Sequence, residues 1–233
     1  MPNRSHKRKV AIFDIDGTIF RSSLLVELTE ALLQAGIFSM SVRKQYHKNY
    51  KKWLERQGSY EQYLSDVVQA FNTHMKGVRN RDFDKVALRV ANFHRRRVYR
   101  YSRDLLSELK RKKYYLLAIS NSPKLILDYF GKELGFDKIY GRIYETDVKG
   151  KLTGNALYTD FISDKSKVLS RVLLTENLTL KGSIGVGDTE SDIPFLKMVS
   201  NPICFNPNKS LYKFAKKEAW KIVVERKDVI YHL

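Results

Sequence analysis

Two aspartates separated by one residue follow a short apolar run near the start of the chain. The segment V-A-I-F-D-I-D-G-T places Asp14 and Asp16 directly after residues 10–13 and before a glycine. At the end of a strand, carboxylates at i and i+2 lie on the same side. One can attack phosphorus to form an aspartyl-phosphate, while the other moves a proton to the leaving oxygen and from the attacking water. The segment therefore indicates phosphoryl-transfer chemistry, with Asp14 as nucleophile and Asp16 as acid/base.

Two later apolar runs also end in polar residues, and we expect them to reach the same place. The run Y-Y-L-L-A-I ends at Ser120 and Asn121, and the run S-I-G-V-G ends at Asp188. In an open parallel sheet, ligands bind at the carboxyl ends of the strands. Carboxylates that face one point repel each other unless a hard cation lies among them, and a few protein oxygens suit Mg²⁺. The predicted metal ligands are Asp14, Asp188 and the main-chain carbonyl of Asp16.

Four neighbouring residues are candidates for binding the phosphate. Gly17 permits a sharp turn, and Thr18 offers a hydroxyl and an N–H group to a phosphoryl oxygen. The Ser120 hydroxyl and the Asn121 N–H would hold a second oxygen just ahead of a helix N-terminus, which favours anions. Ser122 is an alternative to Ser120.

A lysine and a further aspartate complete the predicted site. Lys165 begins a helical segment, and its ammonium would bind the phosphate and neutralise charge that develops during transfer. Lys167 is the alternative. Asp192 would hold Lys165 in place, or it would contact the groups that bind the metal without binding the metal itself. Taken alone, Asp192 is also an ordinary acid near a helix N-terminus.

The spacing of apolar residues predicts the elements that would position these groups. Residues 9–20 are predicted to contain a buried strand, since V-A-I-F is too short for a helix. After residue 102 helices alternate with strands, which is typical of an α/β protein with a doubly wound parallel sheet covered on both faces. The predicted strands are 114–119, 139–144, 183–187, 202–205 and 220–224; the predicted helices are 102–112, 123–134, 164–176, 191–199 and 208–218; a hairpin is predicted at 147–154.

The segment between the first strand and this alternation is predicted to be entirely helical. Leucines recur at helical spacing over 24–33, Ser39 is a candidate cap of a second helix, and Ser59 begins a capping box for a third. A fourth helix is predicted over 81–101. The predicted units are an α/β catalytic core at 9–20 and 102–233, a helical cap at 21–101 and a basic N-terminal tail at 1–8.

Composition limits the classes of protein and partner. The 233 residues are 43% hydrophobic and 29% charged, which is enough for a sizeable core. A net charge of +18 favours anionic partners, among which nucleic acid, an acidic membrane face and a phosphorylated metabolite all fit. No apolar run approaches the roughly 20 residues that span a bilayer, and the basic start lacks an apolar signal region, so we expect a cytoplasmic protein. Cys204, among apolar neighbours, is predicted to be a buried and unreactive thiol.

The motifs resemble those of a known family. D-I-D-G-T, A-I-S-N-S, Lys165 and G-D-T-E-S-D, in this order and at these gaps, resemble the motifs of the haloacid dehalogenase-like (HAD) superfamily of phosphatases, over residues 9–224. A helical insertion after the first motif is similar to the C1-cap branch, which contains phosphoserine phosphatases. The resemblance implies Mg²⁺ and an aspartyl-phosphate formed on Asp14, with Asp16 as acid/base.

The chain departs from that branch where phosphoserine would bind. Phosphoserine phosphatases carry a serine after the second aspartate and a glutamate seven residues beyond that aspartate, whereas this chain has Gly17 and Ser23. The cap is instead rich in cations and aromatic residues. We therefore expect a small phosphorylated metabolite with further negative charge, or with an aromatic or sugar group, unless those aromatics form only the core of the cap.

Three alternatives to a simple phosphomonoesterase stay open. A phosphotransferase would pass the same phosphoryl group to another alcohol. The high positive charge allows a phosphatase that acts on nucleic-acid ends, although no recognised nucleic-acid motif is present and this partner is not favoured. A catalytically inactive scaffold is disfavoured because it would have little reason to keep several mutually repelling carboxylates. The sequence does not define an oligomeric state.

Overall fold

A single mixed sheet forms the centre of the computed structural model, which describes residues 7–233. Its strand order is β4-β3-β2-β1-β5-β6-β7-β8, and the six inner strands run parallel while β4 and β8 pair antiparallel at the edges. The strands are β1 Arg8–Phe13, β2 Tyr115–Pro123, β3 Lys138–Thr146, β4 Leu152–Leu157, β5 Leu178–Gly187, β6 Asn201–Phe205, β7 Lys221–Arg226 and β8 Val229–His232. The predicted α/β class with a mainly parallel sheet is confirmed.

Helices cover both faces of this sheet and form the insertion after β1. Ser23 and Ser59 cap α1 and α3, because their hydroxyls accept hydrogen bonds from Val26 N and Gln62 N. Ser39 caps only a 3₁₀ turn that leads into α2. The helices are α1 Leu24–Gln34, α2 Arg43–Leu54, α3 Tyr60–His74, α4 Asn80–His94, α5 Arg100–Arg111, α6 Lys124–Gly131, α7 Thr159–Ser163, α8 Lys165–Thr175, α9 Ile193–Leu196 and α10 Lys209–Lys217.

The predicted fourth helix over 81–101 is wrong at its end. The helix stops at His94, and α5 begins at Arg100. The intervening chain runs beside the segment that leaves β1: Arg21 N donates to Arg97 O at 3.0 Å. Tyr99 N likewise donates to Ile19 O at 2.9 Å. A backbone that must return from the insertion to the sheet makes these bonds in place of helical ones.

Other predictions differ from the structure at the edges of the sheet. The antiparallel strand β8 and the short helix α7 were not predicted, and β4 extends the predicted hairpin. Of the predicted tail at 1–8, the first six positions lie outside the described residues. Arg8 already belongs to β1, where its guanidinium pairs with Asp137 at 3.2 Å.

The helical insertion packs directly on the sheet. One hydrophobic cluster joins Phe13 of β1, Phe71 of α3 and Phe130 of α6. Phe20, just after β1, packs edge-to-face against Phe130 of α6 and against His94 of α4 in the insertion, at ring-centroid distances of 5.2 Å and 5.6 Å. Such contacts remove large apolar areas from water and hold the insertion over one edge of the sheet.

Hydrogen bonds between backbone groups fix the insertion further. Gly77 N donates to Leu152 O, and Leu152 N donates to Val78 O, both at 2.8 Å, so the β3–β4 hairpin contacts the turn between α3 and α4. The Tyr144 hydroxyl on β3 donates to Asn72 Oδ1 on α3 at 2.9 Å. Helix α3 and the turn that follows it are therefore both bound to the β3–β4 hairpin.

The single cysteine lies inside the fold, as the sequence predicted. Cys204 is buried and unpaired, and burial raises the pKa of its thiol to about 12, so it is protonated and poorly nucleophilic.

Across residues 7–233, no helix combines the length and the apolar character that crossing a bilayer requires.

A buried hydroxyl links α5 to the turn that follows β1. Ser102 is fully buried, and its Oγ donates to Thr18 O at 2.6 Å. Ser102→Ala leaves that carbonyl without its donor, so we expect the free energy of unfolding to fall by about 1–3 kcal/mol. Urea denaturation measures this.

Ser107→Ala on the same helix is the matched control. Its exposed hydroxyl donates to Arg103 O, within one turn. This variant should change the free energy of unfolding by no more than about 0.5 kcal/mol. Equal losses in the two variants would contradict the assigned role of Ser102.

Candidate active site

Three neighbouring strands bring the predicted residues to one edge. Asp14 follows β1, Asp188 follows β5, and Ser120 lies near the end of β2. Phe13 pairs in register with Val186 of β5, and Asp14 N donates to Val186 O at 3.0 Å. Because the strands are parallel, their carboxyl ends meet, as the sequence predicted from the order of the motifs.

A buried ammonium lies between two of the carboxylates. Lys165, the first residue of α8, is only 2% exposed, and its Nζ lies 2.5 Å from Asp14 Oδ1 and 2.5 Å from Asp192 Oδ1. An ammonium has three N–H donors, so one remains for a ligand. The alternative Lys167 has a side chain that is 60% exposed and faces Asp164 at 3.8 Å. The structure thus brings Lys165 into the site and leaves Lys167 outside it.

Asp192 also shapes the loop after β5. Its Oδ2 accepts hydrogen bonds from Asp188 N at 2.9 Å and from Thr189 N at 3.1 Å. A Cβ atom at Gly187 would lie 2.5 Å from that same oxygen, so a larger residue there would displace the carboxylate. Asp192 therefore orients Lys165 with one oxygen and holds the backbone beside Asp188 with the other.

The Asp16 carboxylate faces hydroxyl groups and a backbone amide. Its Oδ2 accepts from Ser120 Oγ at 2.6 Å and from Ser122 Oγ at 2.8 Å, and its Oδ1 accepts from Leu24 N at 2.6 Å. A carboxylate has about four acceptor positions, so one remains, on Oδ1. That position is available for a proton that Asp16 could donate.

The turn residues predicted to bind phosphate make contacts inside the protein. Gly17 has φ +78°, a left-handed conformation that favours glycine, and an added Cβ would lie 2.0 Å from Asp188 Oδ2. The Thr18 hydroxyl donates to Asp188 Oδ1 at 3.3 Å, and the Ser120 hydroxyl to Asp16. Phosphate binding by Gly17, Thr18 and Ser120 stays a prediction.

A cavity of about 120 Å³ lies where these strand ends meet the helical insertion. We call it the catalytic cavity. Leu64 and Val68 of α3 line it on the side of the insertion. The side-chain oxygen of Asn121, which also lines it, is buried and has no hydrogen-bond partner among residues 7–233. A buried acceptor without a partner is costly, so this oxygen is suited to a donor from a ligand or water. The lining consists of Asp14, Asp16, Ser23, Leu25, Leu64, Val68, Asn121, Ser122, Arg142, Tyr144, Lys165, Asp188, Thr189 and Ser191.

Arg142 of β3 is a cation that sequence reasoning missed. It lines the catalytic cavity, and its guanidinium forms no hydrogen bond or ion pair with any other described residue. An arginine without an acidic partner beside a polar cavity is suited to an anionic oxygen. Its only sequence signal was a charge inside a predicted strand, because none of the four quoted motifs lies next to it in the chain.

The close packing of charges shifts the pKa values of the acids. Burial raises the pKa of Asp14 to about 7 against the opposing attraction of Lys165. Burial also raises the pKa of Asp188 well above its usual range, and repulsion from Asp14 and Asp192 adds to the effect. Burial by itself would lower the pKa of Lys165, but the attraction of Asp14 and Asp192 is larger in sum and raises it. One ammonium therefore does not fully compensate this group of carboxylates.

The donor set fits a divalent cation. Carboxylate oxygens of Asp14, Asp188 and Asp192 lie within 4.8 Å of one another. Hard oxygen donors with excess negative charge suit such an ion, and Gly17 leaves the space beside Asp188 that a side chain would fill. The structure brings together the predicted ligands Asp14 and Asp188 and adds Asp192 as a third carboxylate. Ligation by the main-chain carbonyl of Asp16 stays a prediction.

A family model described as haloacid dehalogenase-like hydrolase matches residues 11–197, which is most of the chain. The chain belongs to this hydrolase family. The resemblance inferred from the four motifs is confirmed.

Several known proteins are similar to this hydrolase over nearly the whole length of the chain. A histidinol-phosphatase from Neisseria meningitidis serogroup C (strain 8013) is 22% identical over 228 residues, covering 93% of this chain and 98% of the relative. A protein of unknown function from Bordetella pertussis Tohama I has a similar structure, with TM-score 0.70 and 18% identity, covering 93% of this chain and 98% of its own. A phosphoserine phosphatase solved as a phospho-aspartyl intermediate analogue gives TM-score 0.64 and 21% identity, covering 96% of both chains. At these identities the solved structures establish the fold.

Gly17→Ala tests the space beside Asp188. The added Cβ would push the Asp188 carboxylate aside. We therefore expect the rise in Tm that a divalent cation such as Mg²⁺ produces in the wild type to be lost. Differential scanning fluorimetry with and without the cation measures this.

Gly36→Ala is the matched control for backbone strain. Gly36 also has positive φ, +68°, but an added Cβ would have no atom within 4 Å. It should cost about 1–2 kcal/mol of stability and keep the full cation-dependent rise in Tm. A Gly17→Ala protein that keeps the rise would contradict the assigned position of Asp188.

Protons and a divalent cation compete for these carboxylates. Because the pKa of Asp14 is raised to about 7, the metal-free protein binds more protons than its unfolded chain and loses stability as pH rises through that value. A cation must displace these protons at low pH. The cation-dependent rise in Tm should therefore be smaller at about pH 5.5 than at about pH 8. A rise that does not change with pH would contradict cation binding at these acids.

Proposed function

We propose that the protein is an Mg²⁺-dependent phosphomonoesterase that forms an aspartyl-phosphate on Asp14 and acts on a small phosphorylated metabolite. The observation that carries this proposal is the buried Lys165 ammonium between Asp14 and Asp192 at the floor of the catalytic cavity. The printed names of similar proteins, a histidinol-phosphatase and a phosphoserine phosphatase, support the same reaction class. Mg²⁺, held by Asp14, Asp188 and the main-chain carbonyl of Asp16 with the Asp192 carboxylate beside them, would supply positive charge against the phosphoryl oxygens.

In the first step Asp14 attacks the substrate. Lys165 binds Asp14 Oδ1, so Oδ2 is the oxygen that forms the new bond to phosphorus. The bond from phosphorus to the ester oxygen breaks, and Asp16 donates a proton to that oxygen from its remaining position. Burial raises the pKa of Asp16, which favours the protonated form that this step needs.

In the second step Asp16 acts as a base. It takes a proton from a water molecule that attacks phosphorus, and the bond between phosphorus and Asp14 breaks. Inorganic phosphate leaves, and both aspartates return to their starting forms. Lys165 and Arg142 both line the catalytic cavity, and in this proposal the free N–H of Lys165 and the Arg142 guanidinium bind the phosphoryl oxygens in both steps.

The structure gives no support for phosphoserine in particular. Ser23, at the position where phosphoserine phosphatases carry glutamate, caps α1 and lines the catalytic cavity without supplying a carboxylate for an ammonium group. We therefore propose a different phosphorylated alcohol as the substrate. A phosphotransferase is distinguished by a turnover rate that increases when an acceptor alcohol such as glycerol is added.

Hydrolysis of p-nitrophenyl phosphate tests this proposal. The wild type should turn over with Mg²⁺ and stop with EDTA. Asp14→Asn removes the nucleophile and should lower kcat by about a thousandfold or more. Asp160→Asn, which changes an exposed aspartate outside the site, is the matched control and should keep wild-type activity. Turnover that survives Asp14→Asn would contradict the mechanism.

A further inference from the structure

A second cavity, of about 560 Å³, lies in the insertion next to the catalytic cavity. Helices α1, α2 and α3 surround it. We call it the ring cavity because aromatic residues form much of its wall. Its principal lining residues are Glu27, Glu30, Tyr50, Trp53, Tyr60 and Tyr63.

The aromatic residues form one connected wall. Trp53 and Tyr63 are stacked, with centroids 5.7 Å apart and planes at 10°, and Trp53 lies 5.3 Å from Tyr60. Tyr46 and Tyr63 are only 2% and 4% exposed and belong to the core of the insertion. Tyr50, Trp53 and Tyr60 are half-buried. Aromatic residues therefore form part of the core and also present partly exposed side chains at a cavity.

Each acid in this wall already pairs with an arginine. Glu27 pairs with Arg97 at 2.8 Å and with His94 at 3.3 Å. Glu30 pairs with Arg43 and accepts a hydrogen bond from the Tyr46 hydroxyl at 2.6 Å. Two carboxylates thus face two arginines, and the wall carries no strong excess of either charge. It suits a ring that stacks on aromatic side chains and has a polar edge, rather than a strongly charged group.

The ring cavity and the catalytic cavity are neighbours along two elements. Ser22 lines the first, and Ser23 lines the second. On α3, Tyr60 lines the ring cavity and Leu64, one turn later, lines the catalytic cavity. One helical turn is about 5.4 Å, so a short chain of atoms spans the separation.

The electrostatics of Tyr60 agree with this placement. Burial raises the pKa of its hydroxyl, and nearby acids, Asp16 first among them, add to the effect. Tyr60 lines the ring cavity and is also within electrostatic reach of the acids at the strand ends.

We propose that the ring cavity binds an aromatic or heteroaromatic ring carried by the alcohol part of the substrate, joined to the phosphate by a few atoms. This inference rests on the proposed function and names its substrate class. The reaction is the hydrolysis described above. The bond from phosphorus to the ester oxygen breaks, that oxygen takes the proton from Asp16, and the product is the ring-bearing alcohol.

A matched pair of substrates tests the proposal. 2-Phenylethyl phosphate and 2-cyclohexylethyl phosphate have leaving groups of similar size and acidity and differ in the aromaticity of the ring. With Mg²⁺, the wild type should show a kcat/KM about tenfold higher for the phenyl compound. Histidinol phosphate supplies a heteroaromatic ring, and glycerol phosphate supplies a substrate without a ring.

Trp53→Ala should remove the preference and change kcat/KM for glycerol phosphate by less than about twofold. Trp53→Leu serves as a second variant that keeps more of the packing. Phe93→Ala, which removes an aromatic side chain that is 82% exposed on α4, is the matched control and should keep the preference. A wild type without any preference, or a preference that survives both Trp53 variants, would overturn the proposal.

A binding measurement separates this proposal from the proposed function. Trp53 and Trp220 are the two tryptophans of the chain, so Trp220→Phe leaves Trp53 as the fluorescent reporter. A non-hydrolysable phenylethyl phosphonate should change its emission at about tenfold lower concentration than the cyclohexyl analogue. If no phosphate ester is hydrolysed, the proposed function fails, and this titration alone decides on the ring cavity. Equal responses to the two phosphonates would overturn the proposal.

Discussion

The contact between the Lys165 ammonium and the Asp14 and Asp192 carboxylates is the interaction on which the rest of the site depends. Several acids that are buried close together destabilise a fold unless cations lie among them. A buried pair that loses one partner typically costs 3–5 kcal/mol. Lys165 compensates part of this charge. The remaining shortage of positive charge makes the site suitable for a divalent cation, whose own charge would then favour an incoming phosphate.

The fold supplies this arrangement through neighbouring strands and two close approaches of the backbone. Parallel pairing of β2, β1 and β5 brings Ser120, Asp14 and Asp188 to one edge, although more than 60 residues separate each from the next in the chain. Gly17 and Gly187 leave the room that the Asp188 and Asp192 carboxylates occupy. The glycine at position 17 is thus required by a side chain that is distant in the chain, and the glycine at position 187 by a side chain five residues later.

The helical insertion gives the site its selectivity in this account. It is fixed to the sheet by the contact of Phe20, just after β1, with His94 of α4 and by hydrogen bonds from the Gly77 turn to β4. Its helix α3 lines the catalytic cavity with Leu64 and the ring cavity with Tyr60. One rigid element therefore relates the position of the phosphate to the position of the organic part of a substrate.

The sequence predicted which residues meet at the site better than it predicted the contacts that they make. Asp14, Asp188 and Lys165 belong to local motifs, and the order of strands and helices indicated that these motifs would meet. The role of the Ser120 hydroxyl as a donor to Asp16, the position of Arg142 and the break in the helix after His94 all depend on residues far away in the chain. Periodicity and capping patterns describe only near neighbours, so they do not contain this information.

The central claim is that Asp14 carries the phosphoryl group during turnover. The most direct test is to quench the reaction during turnover and treat the protein with borohydride, which reduces an acyl phosphate but not a free carboxylate. Mass spectrometry of the peptides then locates the reduced residue. The account predicts conversion of Asp14 to homoserine and of no other aspartate. Reduction at a different carboxylate, or none while turnover proceeds, would contradict it.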